Sequence, residues 1–439
     1  MTGSSSCDDA RRRTDAAIDA VWRIESARVI AGAARIVRDL GIAEELAQDA
    51  LVAALEQWPE SGVPDNPGAW LMATAKHRAI DLVRRKERYA RKLEELGHRL
   101  ESQESRQSHG ADFAAAEAAA DGDIEDDLLR LVFTACHPVL ATEARVALTL
   151  RLLGGLTTAE IARAFLVGEP TVAQRIVRAK KTLAKAGVRF EVPEEGAERR
   201  ERLASVLEVI YLIFNEGYSA TAGDDWMRPG LCEDALRLGR VLAGLMPREP
   251  EVHGLVALLE IQASRAAART GPSGEPVLLT DQDRRRWDQL LIRRGFAALA
   301  RADALPGRPG PYAVQAAIAA CHARAFTPDD TDWPRIAELY DALARLVPSP
   351  VVELNRAVAV AMAHGPEQGL KLVDALADEP ALRRYHLLPT VRGDLLARLG
   401  RHAEARTEFE RAAALTRNER ERDLLLARAA EAGALAAGR

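Results

Sequence analysis

The chain reads as an all-α protein built from several domains, and three observations predict this. Ala, Leu, Glu and Arg dominate a 439-residue sequence in which aromatic residues make up only 5%, and β-branched runs are scarce, a balance that favours helices over strands. Apolar residues recur at helical spacing through most long segments. Clusters of Gly, Pro and small polar residues fall between those segments, where helices should stop. A chain of this length has room for two to four domains, each able to bury its own core.

Residues 1–14 are small, polar and charged, and read as a disordered leader. Helical patterning then continues to residue 100, which defines a first domain over 15–100. Within it, Gly41 to Trp58 sets Ile42, Leu46, Ala50, Leu51, Leu55 and Trp58 on one face and Glu44, Glu45, Gln48 and Asp49 on the other. An acidic face of this kind is commonly just solvated. PESGVPDNPG at 59–68 is a turn-rich loop. Trp70 then opens WLMATAKHRAIDLVRRKERYARK, where Lys76, His77, Arg78, Arg84, Arg85, Arg88, Arg91 and Lys92 face only Asp81 and Glu87.

Residues 101–123, rich in Ser, Gln, Gly, Ala and acids, have the composition of a linker. A compact helical unit follows over 124–190. Its most informative stretch is LTTAEIARAFLVGEPTVAQRIVRAKKTL at 156–183, two short helices around a tight turn. Thr157 and Glu160 form a capping box for the first helix, whose Ile161, Ala162 and Phe165 share a face. Gly168 breaks it, and Pro170 starts a second helix with Val172, Ile176, Ala179 and Leu183 as an inward stripe. Thr171, Gln174, Arg175, Arg178 and Lys181 project together from the opposite side. No acidic residue lies between Pro170 and Lys185. A donor-rich helix face of this kind can bond phosphates and read purine edges in a major groove, which makes the segment a helix-turn-helix candidate. A solvated amphipathic hairpin is the plainer alternative.

A second joint at 190–198 precedes a helical extension over 198–439. Val206 to Phe214 is almost wholly apolar and must be buried. Breaks occur at 271–274 and 306–311. Further breaks near Asp330, Gly365 and Gly400 recur at a period close to the 34-residue tetratricopeptide unit. LARLGRHAEARTEFERAAAL at 396–415 fits that unit through Leu399, Gly400, Ala405, Phe409 and Ala412. An ordinary helical bundle is the competing reading of the looser units before it.

Sixty Lys and Arg against 65 Asp and Glu leave a net charge of -5, so only local clustering points to nucleic acid. The four cysteines are far apart. Cys136-His137 and Cys321-His322 are adjacent pairs that diverge by about 100° on a helix, so no metal site and no cofactor are expected. No apolar run reaches the ~20 residues that span a bilayer, which suits a bacterial-type cytoplasm and no membrane partner. No phosphate-loop, dinucleotide or hydrolase motif occurs, and Asp224-Asp225 and Asp281 with Asp283 read as helix caps rather than acid-base pairs.

Taken together, residues 16–190 resemble sigma-70 family factors of the extracytoplasmic function (ECF) type. AEELAQDALVAAL at 43–55 is similar to the region 2 helix that docks on the clamp of core RNA polymerase, which implies that role for Glu44, Glu45, Gln48 and Asp49. WLMATAKHRAIDLVRR at 70–85 is similar to the segment that captures the -10 promoter element as an opened strand. The resemblance carries this role to Trp70, Lys76, His77, Arg78, Arg84 and Arg85, with His77 standing where many relatives have Asn. A shaped pocket for an unstacked base, flanked by cations for its phosphates, is what such a task needs. The 156–183 segment is similar to region 4, which reads the -35 element as duplex, so Thr171, Gln174, Arg175, Arg178 and Lys181 inherit that role. Ala173 stands where a basic residue is common.

YLIFNEGYSAT at 211–221, LTDQDRRRWDQ at 279–289 and VVELNRAVAVAMAHGPEQGL at 351–370 resemble the tetratricopeptide-like extension of one group of these factors. The implied protein is not an enzyme. Its implied architecture is a sigma region 2 domain, a linker running towards the polymerase active-site channel, a sigma region 4 domain and a C-terminal helical domain. Its implied partners are core RNA polymerase, at the clamp and flap regions, and promoter DNA. An intramolecular contact between the extension and the sigma domains would provide regulation in cis. The competing expectations are a conventional helix-turn-helix regulator with a tetratricopeptide-like sensor, and an enzyme with a pocket around Glu216, Tyr218, Asp224 or Arg286.

Overall fold

A computed structural model describes residues 3–97, 124–165, 167–194, 196–220, 227–272 and 275–438. The expected linker at 101–123 and the Asp224-Asp225 pair lie outside the described residues. Helices dominate, and the one β-type pairing among the described residues is an isolated bridge between Thr270 and Pro276. The chain divides into two compact units, residues 1–209 and 210–439.

The first unit opens with α1 (Gly3–Val37), α2 (Leu40–Ser61) and α3 (Pro67–Gly97). Helix α1 therefore includes most of the stretch read as a leader. Arg38, with φ of 54°, breaks the helix, and Asp39 caps α2 by accepting from Gly41 N at 2.7 Å and Ile42 N at 3.0 Å. The face that α2 buries is rotated from the one expected. Ala43, Leu46, Ala47, Ala50, Ala53, Ala54 and Trp58 are buried, whereas Leu55 is 41% and Val52 50% exposed. Small alanines let α1 approach α2 closely, and that contact takes precedence over burying the larger Leu55. Helix α3 starts three residues before Trp70, with Asn66 Oδ1 accepting from Ala69 N at 3.0 Å.

Four helices follow within the same unit: α4 (Ile124–Ala135), α5 (Thr142–Leu152), α6 (Thr158–Ala164) and α7 (Glu169–Lys185). The turn from α5 into α6 depends on Gly154-Gly155. A Cβ on Gly154 would lie 2.5 Å from the Leu150 carbonyl oxygen, and Gly155 holds φ of +71°. Helix α8 (Ala197–Tyr218) crosses the division between the units. Its first half packs with α4 and α5: Ser205 Oγ donates to the Cys136 carbonyl at 2.5 Å and accepts from Arg145, and Arg202 donates to the Phe133 carbonyl at 3.2 Å.

The second unit takes the remainder of α8, with Ile210, Ile213 and Phe214 fully buried as expected. It continues with α9 (Pro229–Leu245), α10 (Pro250–Ala263), α11 (Gln289–Ala304) and α12 (Pro311–Arg324). The described residues between α10 and α11 are irregular apart from short 3-10 turns at Ala266–Ala268, Leu279–Asp281 and Arg284–Arg286. The last of these is capped by Asp283, which accepts from Arg285 N at 3.0 Å. Then come α13 (Trp333–Leu346), α14 (Pro350–His364), α15 (Pro366–Ala375), α16 (Leu387–Arg398), α17 (His402–Leu415) and α18 (Glu419–Ala437). Each packs on its sequence neighbours, the organisation of a helical repeat. Of the positions that suggested the repeat, Ala405, Phe409 and Ala412 lie in one continuous core, Leu399 packs against it half-buried, and Gly400 is half-buried.

Candidate nucleic-acid and polymerase interfaces

The helix-turn-helix is assembled from local rules. Thr157 Oγ1 accepts from Glu160 N at 3.1 Å while Glu160 Oε2 accepts from Thr157 N at 2.8 Å, so the capping box is complete. These bonds hold the Glu160 carboxyl below its ordinary range, the backbone bond from Thr157 most of all. Gly168 is the N-cap of α7 and Pro170 sits in its first turn. Val172, Ile176, Ala179 and Leu183 are all buried. Thr171, Gln174, Arg178 and Lys181, at spacings of three and four residues, lie exposed on the opposite face, with Arg175 half-buried beside them. All five residues expected for duplex contact are thus brought together on about 15 Å of one helix.

The second predicted constellation runs along α3. Trp70 is half-buried and meets the buried Trp58 edge to face, with ring centroids 5.4 Å apart, which fixes the indole at the head of the helix. His77, Arg84 and Arg85 are exposed, and Lys76 and Arg78 are half-buried. Arg78 approaches Asp49 of α2 at 3.6 Å, a pair that solvent weakens because Asp49 is exposed and the Arg78 side chain is partly so. The residues therefore follow one helix from an aromatic end to a cationic end, over about 22 Å.

The four acidic-face residues do not share one environment. Glu45 and Asp49 are exposed and Gln48 is half-buried. Glu44 is only 7% exposed. Its carboxylate accepts from Arg151 Nε of α5 at 2.6 Å, from Lys180 of α7 in a very short contact, and from Gln48 Nε2 at 3.2 Å. Burial alone would push the Glu44 carboxyl up, but Lys180 and Arg151 outweigh it and hold the carboxyl below the usual range. Two further pairs join the same parts of the first unit: Arg23 to Glu160 at 3.1 Å, and Arg35 to the buried Asp127 at 3.4 Å. Asp127 also accepts from Arg130 at 2.6 Å, yet burial prevails over both arginines and raises its carboxyl.

Sequence reasoning missed Arg151 and Lys180. Lys180 did carry a signal, since it follows Ile176 by four residues and precedes Leu183 by three, which places it beside the buried stripe rather than on the outward face. Arg151 carried none, because its role depends on which helix packs opposite α5.

Of the groups considered for an enzyme pocket, Asp224 lies outside the described residues and the other three sit in different settings. Glu216 pairs with Arg228, Tyr218 is buried beneath Arg269, and Arg286 is exposed. The Cys136 and Cys232 thiols are buried and pushed up to about 11 and about 12, so neither is a ready nucleophile. No helix among the described residues is long and apolar enough to cross a membrane.

Comparison with known proteins follows the same divisions. The sigma-70 region 2 family matches residues 23–89, the sigma-70 region 4 family matches residues 130–183, and a family of unknown function (DUF6596) matches residues 202–303. An uncharacterized protein of Rhizobium meliloti (strain 1021) is 47% identical over 388 residues, 88% of this chain and 89% of its own length. The ECF RNA polymerase sigma factor SigK of Mycobacterium ulcerans (strain Agy99) is 32% identical over 155 residues, 34% of this chain and 74% of that protein. No solved structure matches the chain significantly. The order of the two matched regions, the complete helix-turn-helix and the coverage of the relative make this chain a member of the ECF-type sigma factors of the sigma-70 family, with a C-terminal helical extension.

Proposed function

We propose that, within promoter recognition by this sigma factor, Thr171, Gln174, Arg175, Arg178 and Lys181 read the -35 element as duplex. The observation that carries this is the exposed donor face of α7 opposite a wholly buried stripe. Arg is suited to bidentate contacts with guanine, while Lys181 suits a phosphate. Trp70, Lys76, His77, Arg78, Arg84 and Arg85 hold the opened -10 strand, the indole at the base pocket and the cations along the backbone. Glu45, Gln48 and Asp49, with Val52 and Leu55 exposed one and two turns further along α2, form the polymerase-docking face on the clamp. The exposed apolar pair supports this reading, since a docking helix needs apolar area at its centre and charge at its rim.

Glu44 joins that face only when Arg151 and Lys180 release it. The arrangement in which Lys180 of the recognition helix is tied to α2 belongs to the free protein, and polymerase binding separates the two. Region 4 takes the flap, and the C-terminal extension regulates activity in cis. The sigma-70 regions bind and position, so the reading assigns this chain no reaction of its own.

The test is run-off transcription with purified core polymerase and promoter-bearing DNA, comparing the full chain with Arg178→Ala and Arg84→Ala. Specific transcripts from the full chain, lost on -35-dependent templates with the first variant and slowed at strand opening with the second, support these assignments. Unchanged promoter use by both variants overturns them.

A further inference from the structure

The connection between α10 and α11 gathers positive charge around a buried indole. Trp287 is 3% exposed. The guanidinium carbons of Arg265 and Arg284 lie 5.5 and 5.1 Å from its ring centroid. Arg269 is close by, its guanidinium carbon 3.6 Å from the ring centroid of Tyr218 and its Nη2 donating to the Tyr218 carbonyl at 2.9 Å. Elsewhere in this unit arginines that leave water are answered by carboxylates: Arg228 by Glu216, and Arg392 by Asp374 and Glu408. Among the described residues, neither Arg265 nor Arg284 has a carboxylate within ion-pair distance.

Their hydrogen bonds go to neutral oxygens instead. Arg265 Nε donates to Gln282 Oε1 at 3.4 Å. Arg284 donates to the carbonyls of His322 at 2.6 Å and Ala325 at 2.8 Å, and to Thr331 Oγ1 at 3.1 Å. Several buried polar atoms nearby have no partner: Trp287 Nε1, Arg284 Nε, and Nδ1 of His322, a residue 9% exposed. Burial first, and then Arg265 and Arg284, push the His322 imidazole down to about 4, so it is neutral at neutral pH and adds no charge. Burying cations with only the exposed Asp330, beyond ion-pair distance, as counter-charge to Arg284, beside donors without acceptors, is costly unless a ligand supplies what is missing.

We propose that Arg265 and Arg284, with the Trp287 indole packed against α11 and α12, form a binding site for the oxyanion group of a small molecule, a phosphate or a carboxylate. The planar forks of two guanidiniums match both geometries. Arg265, half-buried and held by one long hydrogen bond, is the arm that reaches the ligand. Arg284, stapled to three oxygens, is the fixed base. The site lies mostly within residues 202–303, the segment matched by the family of unknown function, and it gives that segment a ligand-sensing role that is independent of the DNA and polymerase assignments.

The experiment is calorimetric titration of the full chain with inorganic phosphate and, separately, with succinate, at constant ionic strength in chloride buffer, alongside Arg265→Gln and the exposed control Arg285→Gln. The expected result is saturable binding of one of the two anions at up to about 10 mM, weakened about tenfold or more by Arg265→Gln and unchanged by Arg285→Gln. The melting temperature of ligand-free Arg265→Gln should stay level or rise, because an uncompensated charge has been removed. Binding of phosphate alone identifies a phosphorylated ligand, and binding of succinate alone identifies a carboxylate. Absence of saturable binding for both anions overturns the proposal, as does equal binding by Arg265→Gln. A marked fall in the ligand-free stability of that variant, without anion binding by the parent, shows a structural cluster only and overturns it too.

Discussion

At the residue scale, two neighbours on α7 have opposite tasks. Lys181 faces outward with Thr171, Gln174 and Arg178, whereas Lys180, one step of about 100° away, closes on Glu44. Substituting Arg175 or Arg178 by Ala should weaken binding to a -35 duplex by about 1–3 kcal/mol where the side chain contacts a base. Lys181→Ala should weaken all sequences alike and lower the salt slope by about one, measurable by titrating duplex binding of the polymerase holoenzyme against salt. Glu44→Gln leaves Arg151 and Lys180 facing a neutral amide. Because both cations are partly solvated, the first unit should lose about 1–3 kcal/mol rather than the full penalty of a dry broken pair. The pH dependence has a definite sign. A carboxyl held below its ordinary value contributes stability above about pH 4.3 and loses it as pH falls through the depressed value. Denaturant melts of the parent from pH 7 down to 3 should show this loss, and Glu44→Gln should show less of it.

At the element scale, caps and close approaches decide where helices begin and how near they lie. Thr157→Ala removes one half of the capping box and should cost about 1 kcal/mol, read as reduced helicity and a lower melting temperature. A Cβ on Gly254 would lie 2.6 Å from the Ala313 backbone nitrogen, where α10 crosses α12. Gly254→Ala should therefore force those helices apart at a cost of about 1–3 kcal/mol, seen in the melting of the second unit. The helix-turn-helix was legible in the sequence because its cap, break, proline and stripe each act on partners about four residues away. The exposed Val52 and Leu55 of α2 were not legible, since the buried face depends on how closely α1 packs against Ala43, Ala47, Ala50 and Ala54.

At the scale of the whole molecule, the joint at 190–198 is a poor place to separate the sigma domains from the extension. The first half of α8 belongs to the first unit, where Ser205 bonds the Cys136 carbonyl and Arg145. A chain ending at Glu195 should leave Arg145, 8% exposed, without Ser205 and Glu208. Its first unit should then melt lower than in the full chain, and lost transcription by such a truncation would reflect instability as much as regulation. Point substitutions in the intact chain are the cleaner probe of regulation in cis.

The sequence by itself determined the all-helical class, the helix-turn-helix with its outward donor face, and the tetratricopeptide-like core positions. Each of these follows from contacts within a few turns of one helix or between helices adjacent in the chain. Only the tertiary structure decided that Glu44 is enclosed by Arg151 and Lys180, that α8 begins inside the first unit, and that Arg265 and Arg284 meet at Trp287. The physical reason is sequence separation. A buried charge takes its partner from whatever helix packs across from it, and residues 107 and 136 positions away from Glu44 leave no periodic trace in the chain.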